Sequence, residues 1–153
     1  MNLKRAKLKM TLSSPIYGWS NVCIQNPTNK KRNVKIAHSY VFPFFWDFAE
    51  AFKVIKFKKR YEIYIEEEGP VTLIRFDNLG KDVKVSINKL YCKDYLKKNY
   101  FYYFKPFSFI CNKEELKRDY KKILLKHLKK CRNEYYHEYF DWQYKVSDLR
   151  EIR

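Results

Sequence analysis

Apolar and polar residues alternate along two short stretches near the start of the chain, 16–24 and 34–40. Ile24 and Ile36 belong to their apolar sides. Alternation with a period of two is typical of strands that bury one face. The segment between them, 26–33, is rich in asparagine and contains a proline, and both residue types favour turns. The two strands are therefore predicted to form a hairpin with a basic tip.

A helix is predicted from Pro43 onward, because the fixed φ and missing N–H of proline suit the first helical position. Behind it, large apolar residues recur at helical spacing. They are Phe44, Phe45, Phe48, Phe52 and Ile55. This spacing predicts an amphipathic helix that buries an aromatic face.

Three more alternating stretches follow, at 60–67, 71–76 and 83–88. Short turn sequences separate them, and the second turn, 77–80, ends in a glycine that can adopt a positive φ. The pattern predicts an antiparallel meander of three strands. A further extended run, dense in aromatic residues, is predicted over 99–110.

The clearest pattern in the chain is that of a long amphipathic helix after Asn112. Asn112 and Glu115 resemble a capping box, with Asn112 as the capping residue. The apolar stripe behind them consists of Leu116, Tyr120, Ile123, Leu124, His127, Leu128 and Cys131. Mostly basic residues fill the remaining arc, so the stripe is expected to be buried and the arc solvated.

Together these elements predict an α+β protein. Its expected architecture is an antiparallel β-sheet meander with one helix after the second strand and a long amphipathic C-terminal helix packed on the sheet. The length of 153 residues predicts a single domain over 1–153. Within it, 1–14 is a basic N-terminal segment and a candidate edge strand, and 133–153 is predicted to form an aromatic C-terminal helical extension.

The charge of the chain suggests what it binds. Lys and Arg number 33 and Asp and Glu number 17, which gives a formal net charge of +16. Such a charge attracts polyanions. Lysine, which predominates, is a point charge and favours long-range attraction over bidentate recognition. The candidate anion-binding residues are Lys30, Lys31, Arg32, Lys56, Lys58, Lys59, Lys117, Lys121, Lys122 and Lys126.

No catalytic motif is present in the sequence. The three histidines are dispersed and the three glycines are isolated, so neither a nucleophile motif nor a phosphate-binding loop is formed. Glu62, Asp77 and Asp82 could belong to a metal-dependent nuclease, but no spacing singles them out. The run 66–68 is expected to be a solvated turn. The protein is therefore predicted not to be an enzyme and to have no catalytic residue.

The four cysteines lack the paired spacing of a metal-binding motif. His127 and Cys131 share a helical face and could begin a zinc site. The favoured interpretation places both in the apolar stripe, because a free cysteine usually behaves as a small buried hydrophobe. No metal and no cofactor are predicted. With no membrane span and no signal peptide in the sequence, the expected location is the cytoplasm.

Three short motifs follow one another along the chain: an aromatic helix opening at 43–51, a turn between strands at 67–70 and a helix start at 112–116, leading towards 139–142. Their layout, over 15–142, resembles that of small immunity proteins of bacterial polymorphic-toxin systems. The resemblance implies a non-catalytic protein that binds and blocks another protein.

The positive charge indicates that such a toxin-like partner would be acidic. Exposed aromatic residues would be natural anchors of the interface. The candidates are Tyr17, Trp19, Tyr64 and Trp142. The sequence thus predicts an immunity-like or inhibitor-like binding protein that docks on and blocks an acidic partner protein. The alternative is sequence-nonspecific binding of RNA or single-stranded DNA through a lysine-rich face and exposed aromatics.

Overall fold

The computed structural model describes residues 5–12, 19–29, 31, 33–39, 44–67, 69–94, 99–102 and 106–131. Side chains are not described at 12, 19–20, 38–39, 44–46, 92–94, 99–102 and 127–131. The elements are β1 (Met10–Leu12), β2 (Trp19–Ile24), β3 (Val34–Ser39), α1 (Phe44–Val54), β4 (Arg60–Glu66), β5 (Pro70–Leu79), β6 (Asp82–Asp94), β7 (Asn99–Tyr102), β8 (Phe107–Asn112) and α2 (Lys113–Cys131). The predicted α+β class is confirmed. The predicted extension at 133–153 lies outside the described residues.

A three-stranded antiparallel sheet has the order β1-β2-β3. The predicted hairpin is confirmed as β2 and β3, and Val22 and Ile24 are buried opposite Val34 and Ile36. Lys35, between the two buried residues of β3, is exposed. The end of the basic N-terminal segment supplies β1, which pairs with β2 at the edge of this sheet.

A five-stranded antiparallel sheet contains the predicted meander as β4-β5-β6. β6 has 13 residues and is longer than the predicted stretch. One edge of β6 pairs with β5, and its other edge is shared end to end by β8 at 82–87 and β7 at 90–94. The aromatic run predicted over 99–110 is therefore divided into two strands, and Pro106, which cannot donate a ladder hydrogen bond, precedes β8.

The turn between β5 and β6 lies later than predicted. Asn78 pairs with Val83 and Leu79 with Asp82, so only Gly80 and residue 81 form the turn. The φ of Gly80 is 77°, in the left-handed region that glycine adopts without a steric penalty. As a result Asn78 belongs to strand β5 and not to the turn.

Both sheets and both helices contribute to one hydrophobic core. At its centre the ring of Phe48 in α1 stacks on Tyr120 in α2, with centroids 4.8 Å apart, and meets the ring of Phe76 edge-on at 5.2 Å. Aromatic pairs of this geometry add about 0.5–1.5 kcal/mol beyond their burial. Leu116 and Leu124 are each 2% exposed, so the predicted buried stripe of α2 is confirmed where its side chains are described.

The N-terminus of α2 is capped as predicted. The Oδ1 atom of Asn112 accepts hydrogen bonds from the backbone N–H groups of Glu114 and Glu115, at 3.0 and 3.2 Å. These two glutamates also place negative charge in the first turn, where the helix dipole favours it. Neither α1 nor the described length of α2 combines the length and apolar character needed to cross a bilayer.

An ion pair with little exposure lies at the five-stranded sheet, and both of its members are hydrogen-bonded to β3 of the other sheet. The Lys89 Nζ atom of β6 lies 2.9 Å from the Glu67 carboxylate, and the side chains are 15% and 6% exposed. Glu67 also accepts hydrogen bonds from the Ala37 N–H at 3.0 Å and the Thr72 hydroxyl at 2.7 Å, while Lys89 donates to the carbonyl oxygen of Lys35 at 2.6 Å. The prediction of a solvated turn is therefore wrong for Glu67, because its carboxylate has these partners away from water.

Candidate functional site

The loop between α1 and β4 presents an aromatic side chain among cations. Phe57 is 89% exposed, and its sequence neighbours Lys56, Lys58 and Lys59 are also exposed. The loop begins with the last turn of α1, where the N–H groups of Phe57 and Lys58 donate to the carbonyl oxygen of Val54 at 3.0 and 2.9 Å. These bonds direct the chain out of the helix, and the aromatic ring then faces solvent.

Asn78 of β5 holds this loop on both sides of Phe57. Its Nδ2 atom donates to the carbonyl oxygen of Ile55 at 2.7 Å and to that of Lys58 at 3.3 Å. Its backbone N–H donates to the carbonyl oxygen of Lys59 at 2.8 Å. Because three carbonyl groups of the loop are fixed by one residue of the sheet, the loop has a defined conformation.

The same asparagine connects the loop to α2. The Oδ1 atom of Asn78 accepts hydrogen bonds from Lys113 Nζ at 2.6 Å and from the Gly80 N–H at 3.0 Å. The carbonyl oxygen of Lys81 accepts a hydrogen bond from the backbone N–H of Lys113 at 3.1 Å. Three segments that are distant in sequence therefore converge on one surface. We call this surface the basic end, and its cations are Lys56, Lys58, Lys59, Lys81 and Lys113.

The loop lysines differ from the described arginines in their partners. Arginine–carboxylate pairs among the described residues are Arg5–Asp82, Arg60–Asp77, Arg75–Glu62 and Arg118–Glu115. Lys56, Lys58 and Lys59 take part in none of the ion pairs formed within the described part of the chain. The basic end therefore presents lysine ammonium groups to solvent, whereas the guanidinium group of the adjacent Arg60 is paired with Asp77.

The carboxylates considered for a nuclease, Glu62, Asp77 and Asp82, are each bound to an arginine. Burial alone would raise the pKa of Glu62, but hydrogen bonds from Tyr64 and Arg75, together with the charges of Arg75 and Arg60, outweigh it and hold that pKa below its usual range. Among the residues with described positions, no three His, Cys, Asp or Glu side chains are grouped as metal ligands. Glu62 of β4, Asp77 of β5 and Asp82 of β6 are therefore ion-pair partners of arginines.

The structure separates the anion-binding residues predicted from the sequence. Lys31 is exposed in the turn between β2 and β3, and that turn adjoins the N-terminal segment through a 2.9 Å hydrogen bond from Gln25 to Lys9. Lys30 and Arg32 lie outside the described residues. On α2, the exposed predicted lysines are Lys122 and Lys126, and the half-buried ones are Lys117 and Lys121. Of the predicted lysines that the structure describes, the contacts of Asn78 bring those of the loop to the start of α2.

The predicted aromatic anchors are described only in part. Tyr64 is 58% exposed, and its hydroxyl donates to Glu62 at 2.9 Å. Trp19 lies in β2, but its side chain is not described, and Tyr17 and Trp142 lie outside the described residues. His127 and Cys131 lie in α2, and their side chains are likewise not described.

Phe57 was not predicted to be a functional residue, although the sequence contains a signal that its side chain is exposed. Phe57 follows Phe48 by nine residues, which on a continued helix places it about 180° from the buried stripe. An aromatic residue off the stripe and inside a run of cations is therefore expected to face solvent. Among the described large hydrophobic side chains, that of Phe57 has the greatest exposure.

The thiol of Cys111 is a poor nucleophile in the folded protein. Burial on β8, with smaller contributions from the charges of Asp119, Asp82 and Glu115, raises its pKa to about 12. Roughly one such thiol in ten thousand is ionised at pH 8. We expect iodoacetamide at pH 8 to leave Cys111 unmodified in the native protein and to modify it after unfolding in guanidinium, as measured by peptide mass spectrometry. Rapid modification of native Cys111 would contradict this burial.

The basic end combines unpaired loop lysines, a largely exposed phenylalanine and a loop fixed by hydrogen bonds from the sheet. These features suit contact with a partner molecule, for which an exposed aromatic ring is a typical anchor. A scan against protein-family models and a search of curated proteins found no match to this sequence.

Proposed function

We propose that this protein is a non-enzymatic binding protein that docks on an acidic partner protein and blocks it, in the manner of an immunity protein or inhibitor. The basic end is the observation that carries this proposal. Lys56, Lys58 and Lys59 are exposed and, among the described residues, have no carboxylate partner. Complementary charge accelerates encounter with an acidic partner and disfavours basic ones.

The arginines favour a protein partner over a nucleic acid. Arginine binds phosphate with two parallel hydrogen bonds, and arginine or lysine makes the commonest specific contact to a base. Arg60 and Arg75, however, each hold a carboxylate of this chain at 2.6 Å. Stacking of successive bases also uses several aromatic side chains along a groove, whereas Phe57 is the aromatic residue that the described part of the basic end presents.

The state of the potential catalytic groups supports a function in binding. Cys111 is buried with a raised pKa, so its thiol is not poised for attack. Glu62, Asp77 and Asp82 are paired with arginines. A protein that presents exposed lysines on a fixed loop is suited to cover a partner's surface and thereby block it.

Reversal of the loop charges tests the proposal. We expect the parent protein to bind poly-L-glutamate at low salt, and the variant K56E/K58E/K59E to bind it at least about tenfold more weakly. Each exposed pair contributes roughly 0.2–1 kcal/mol, and each reversal replaces an attraction by a repulsion. Fluorescence anisotropy measures the affinity. The melting temperature should remain that of the parent, because the three side chains are solvated.

Two further triple variants make the same change in net charge. K7E/K9E/K35E alters exposed lysines of the N-terminal segment and β3 and is expected to lose less than about threefold in affinity. K117E/K121E/K122E, on α2, is expected to show an intermediate loss of affinity. Lys117 and Lys121 follow Lys113 at intervals of four residues on the same side of the helix, and Lys113 belongs to the basic end. Equal losses in all three variants would mean that only net charge matters and would contradict a localised docking surface.

Nucleic acid is the competing outcome of the same experiment. Oligo(dT) and oligo(rU) are titrated at ~150 mM salt, where a binder that relies on phosphate contacts retains part of its affinity and loses the rest as salt rises. Tight binding of either oligonucleotide that disappears in K56E/K58E/K59E, together with no binding of poly-L-glutamate, would assign the basic end to nucleic acid instead.

A further inference from the structure

The side chain of Phe57 lies where it adds little to the stability of the fold. Phe48 and Phe52 in α1 are 0% and 6% exposed, and Ile55 at the end of the same stripe is 3% exposed. Two residues later Phe57 is 89% exposed. Burial is what gives an aromatic ring its stabilising effect, so this ring does not stabilise the isolated protein. Its natural role is a contact made outside the chain.

The loop that carries Phe57 is organised before any partner arrives. Asn78 bonds the carbonyl oxygens of Ile55, Lys58 and Lys59, which lie on both sides of the phenylalanine. Asn78 is itself bonded to Lys113 at 2.6 Å. Binding through a fixed loop avoids most of the entropy loss that ordering a loop would impose. This is a property expected of an anchor residue in an interface.

The charges around the ring define the surface it fits. Lys56, Lys58 and Lys59 are sequence neighbours of Phe57 and are exposed, and they would be repelled or left unpaired on a neutral or basic surface. We infer that Phe57 is an anchor that enters an apolar pocket on the acidic partner protein, and that the three lysines pair with carboxylates at the rim of this pocket. The inference deepens the proposed function and rests on it.

Two polymers separate the role of the ring from that of the charge. Poly-L-glutamate offers carboxylates only, and a random copolymer of glutamate and tyrosine offers carboxylates with aromatic rings. We expect the parent protein to bind the copolymer roughly threefold to tenfold more tightly than poly-L-glutamate, the range given by one aromatic pair. Phe57→Ala is expected to remove this preference, to leave the affinity for poly-L-glutamate within about twofold of the parent and to keep the melting temperature.

Matched controls replace exposed hydrophobic side chains elsewhere. Tyr64 on β4 and Leu125 on α2 are 58% and 37% exposed, and Tyr64→Ala and Leu125→Ala should retain the preference for the copolymer. A preference that survives Phe57→Ala would overturn the anchor inference and leave charge-based docking intact. Binding of poly-L-glutamate that is unaffected by K56E/K58E/K59E would instead remove the proposed function. If Phe57→Ala weakened binding of oligo(dT) and not of the copolymer, the ring would be a base-stacking surface and the inference would be overturned.

Discussion

Replacing Leu124 by aspartate is expected to abolish the folded state at 25 °C. Leu124 is 2% exposed and lies on the face of α2 that carries Leu116 and Tyr120. Truncating a core leucine costs about 2–5 kcal/mol, and the new carboxylate would also be unpaired in apolar surroundings. The combined loss approaches the 5–15 kcal/mol that typically separates folded from unfolded domains. Far-UV circular dichroism and a urea titration would measure it.

The neighbouring residue provides the control, because Leu125 is 37% exposed. Leu125→Asp changes composition and charge identically but places the carboxylate in water, so its effect should stay within about 0.5 kcal/mol. Parent-like melting of Leu124→Asp would show that the buried face of α2 has been assigned incorrectly. If both substitutions unfold the protein, α2 does not tolerate an added carboxylate on either its buried or its exposed face.

The helices could be predicted from the sequence because their signals are local. In α2 the cap and the stripe lie within one segment, and the structure confirms both the Asn112 cap and the burial of Leu116, Tyr120 and Leu124. In α1 the same spacing identified Phe48 and Phe52. A period of 3.6 residues specifies which side of a helix is buried without reference to the rest of the chain.

The division of the strands into two sheets could not be predicted in the same way. Alternation identifies a strand and its buried face, but not the strand beside it. The outer edge of β6 is an example, since Val85 pairs with Phe109 in β8 while Leu90 pairs with Tyr102 in β7. β1 has only three residues, which is too short to show a period.

The candidate site was predictable in its charges but not in its assembly. The sequence identifies Lys56, Lys58 and Lys59 as a basic stretch that comes directly after the apolar stripe of α1. Their association with Lys113 depends on the hydrogen bonds of Asn78, which the sequence pattern placed in a turn. Because strand pairing extends to Leu79, Asn78 belongs to β5, and its side chain lies beside the loop between α1 and β4.

Glu67 illustrates how a local interpretation fails when the partners are distant in sequence. It is one of three consecutive glutamates, and its neighbour Glu66 is exposed as expected. The side chain of Glu67 is 6% exposed because Lys89, Thr72 and Ala37 provide hydrogen-bond donors to its carboxylate. β3 is the outer strand of its sheet, and the N–H of Ala37 is bonded by this carboxylate in place of another strand.

Lys89→Met is expected to destabilise the protein by about 3–5 kcal/mol, because it leaves the Glu67 carboxylate buried without its counter-charge. It also removes the 2.6 Å hydrogen bond to the carbonyl oxygen of Lys35. Lys84→Met is the control, since Lys84 is a half-buried lysine on the opposite face of β6. Its effect should stay below about 1 kcal/mol, and urea titration of both variants gives the comparison.

A second substitution distinguishes loss of charge pairing from loss of packing. In the Lys89→Met background, Glu67→Gln removes the isolated charge. The amide oxygen can accept the hydrogen bond from the Ala37 N–H, and the amide NH2 can donate to the hydroxyl oxygen of Thr72. The double variant is therefore expected to be more stable than Lys89→Met alone, with a coupling of about 0.5–3 kcal/mol in the double-mutant cycle. Additive losses, or a Lys89→Met effect no larger than that of Lys84→Met, would show that the two sheets are held together by apolar packing without a contribution from this ion pair.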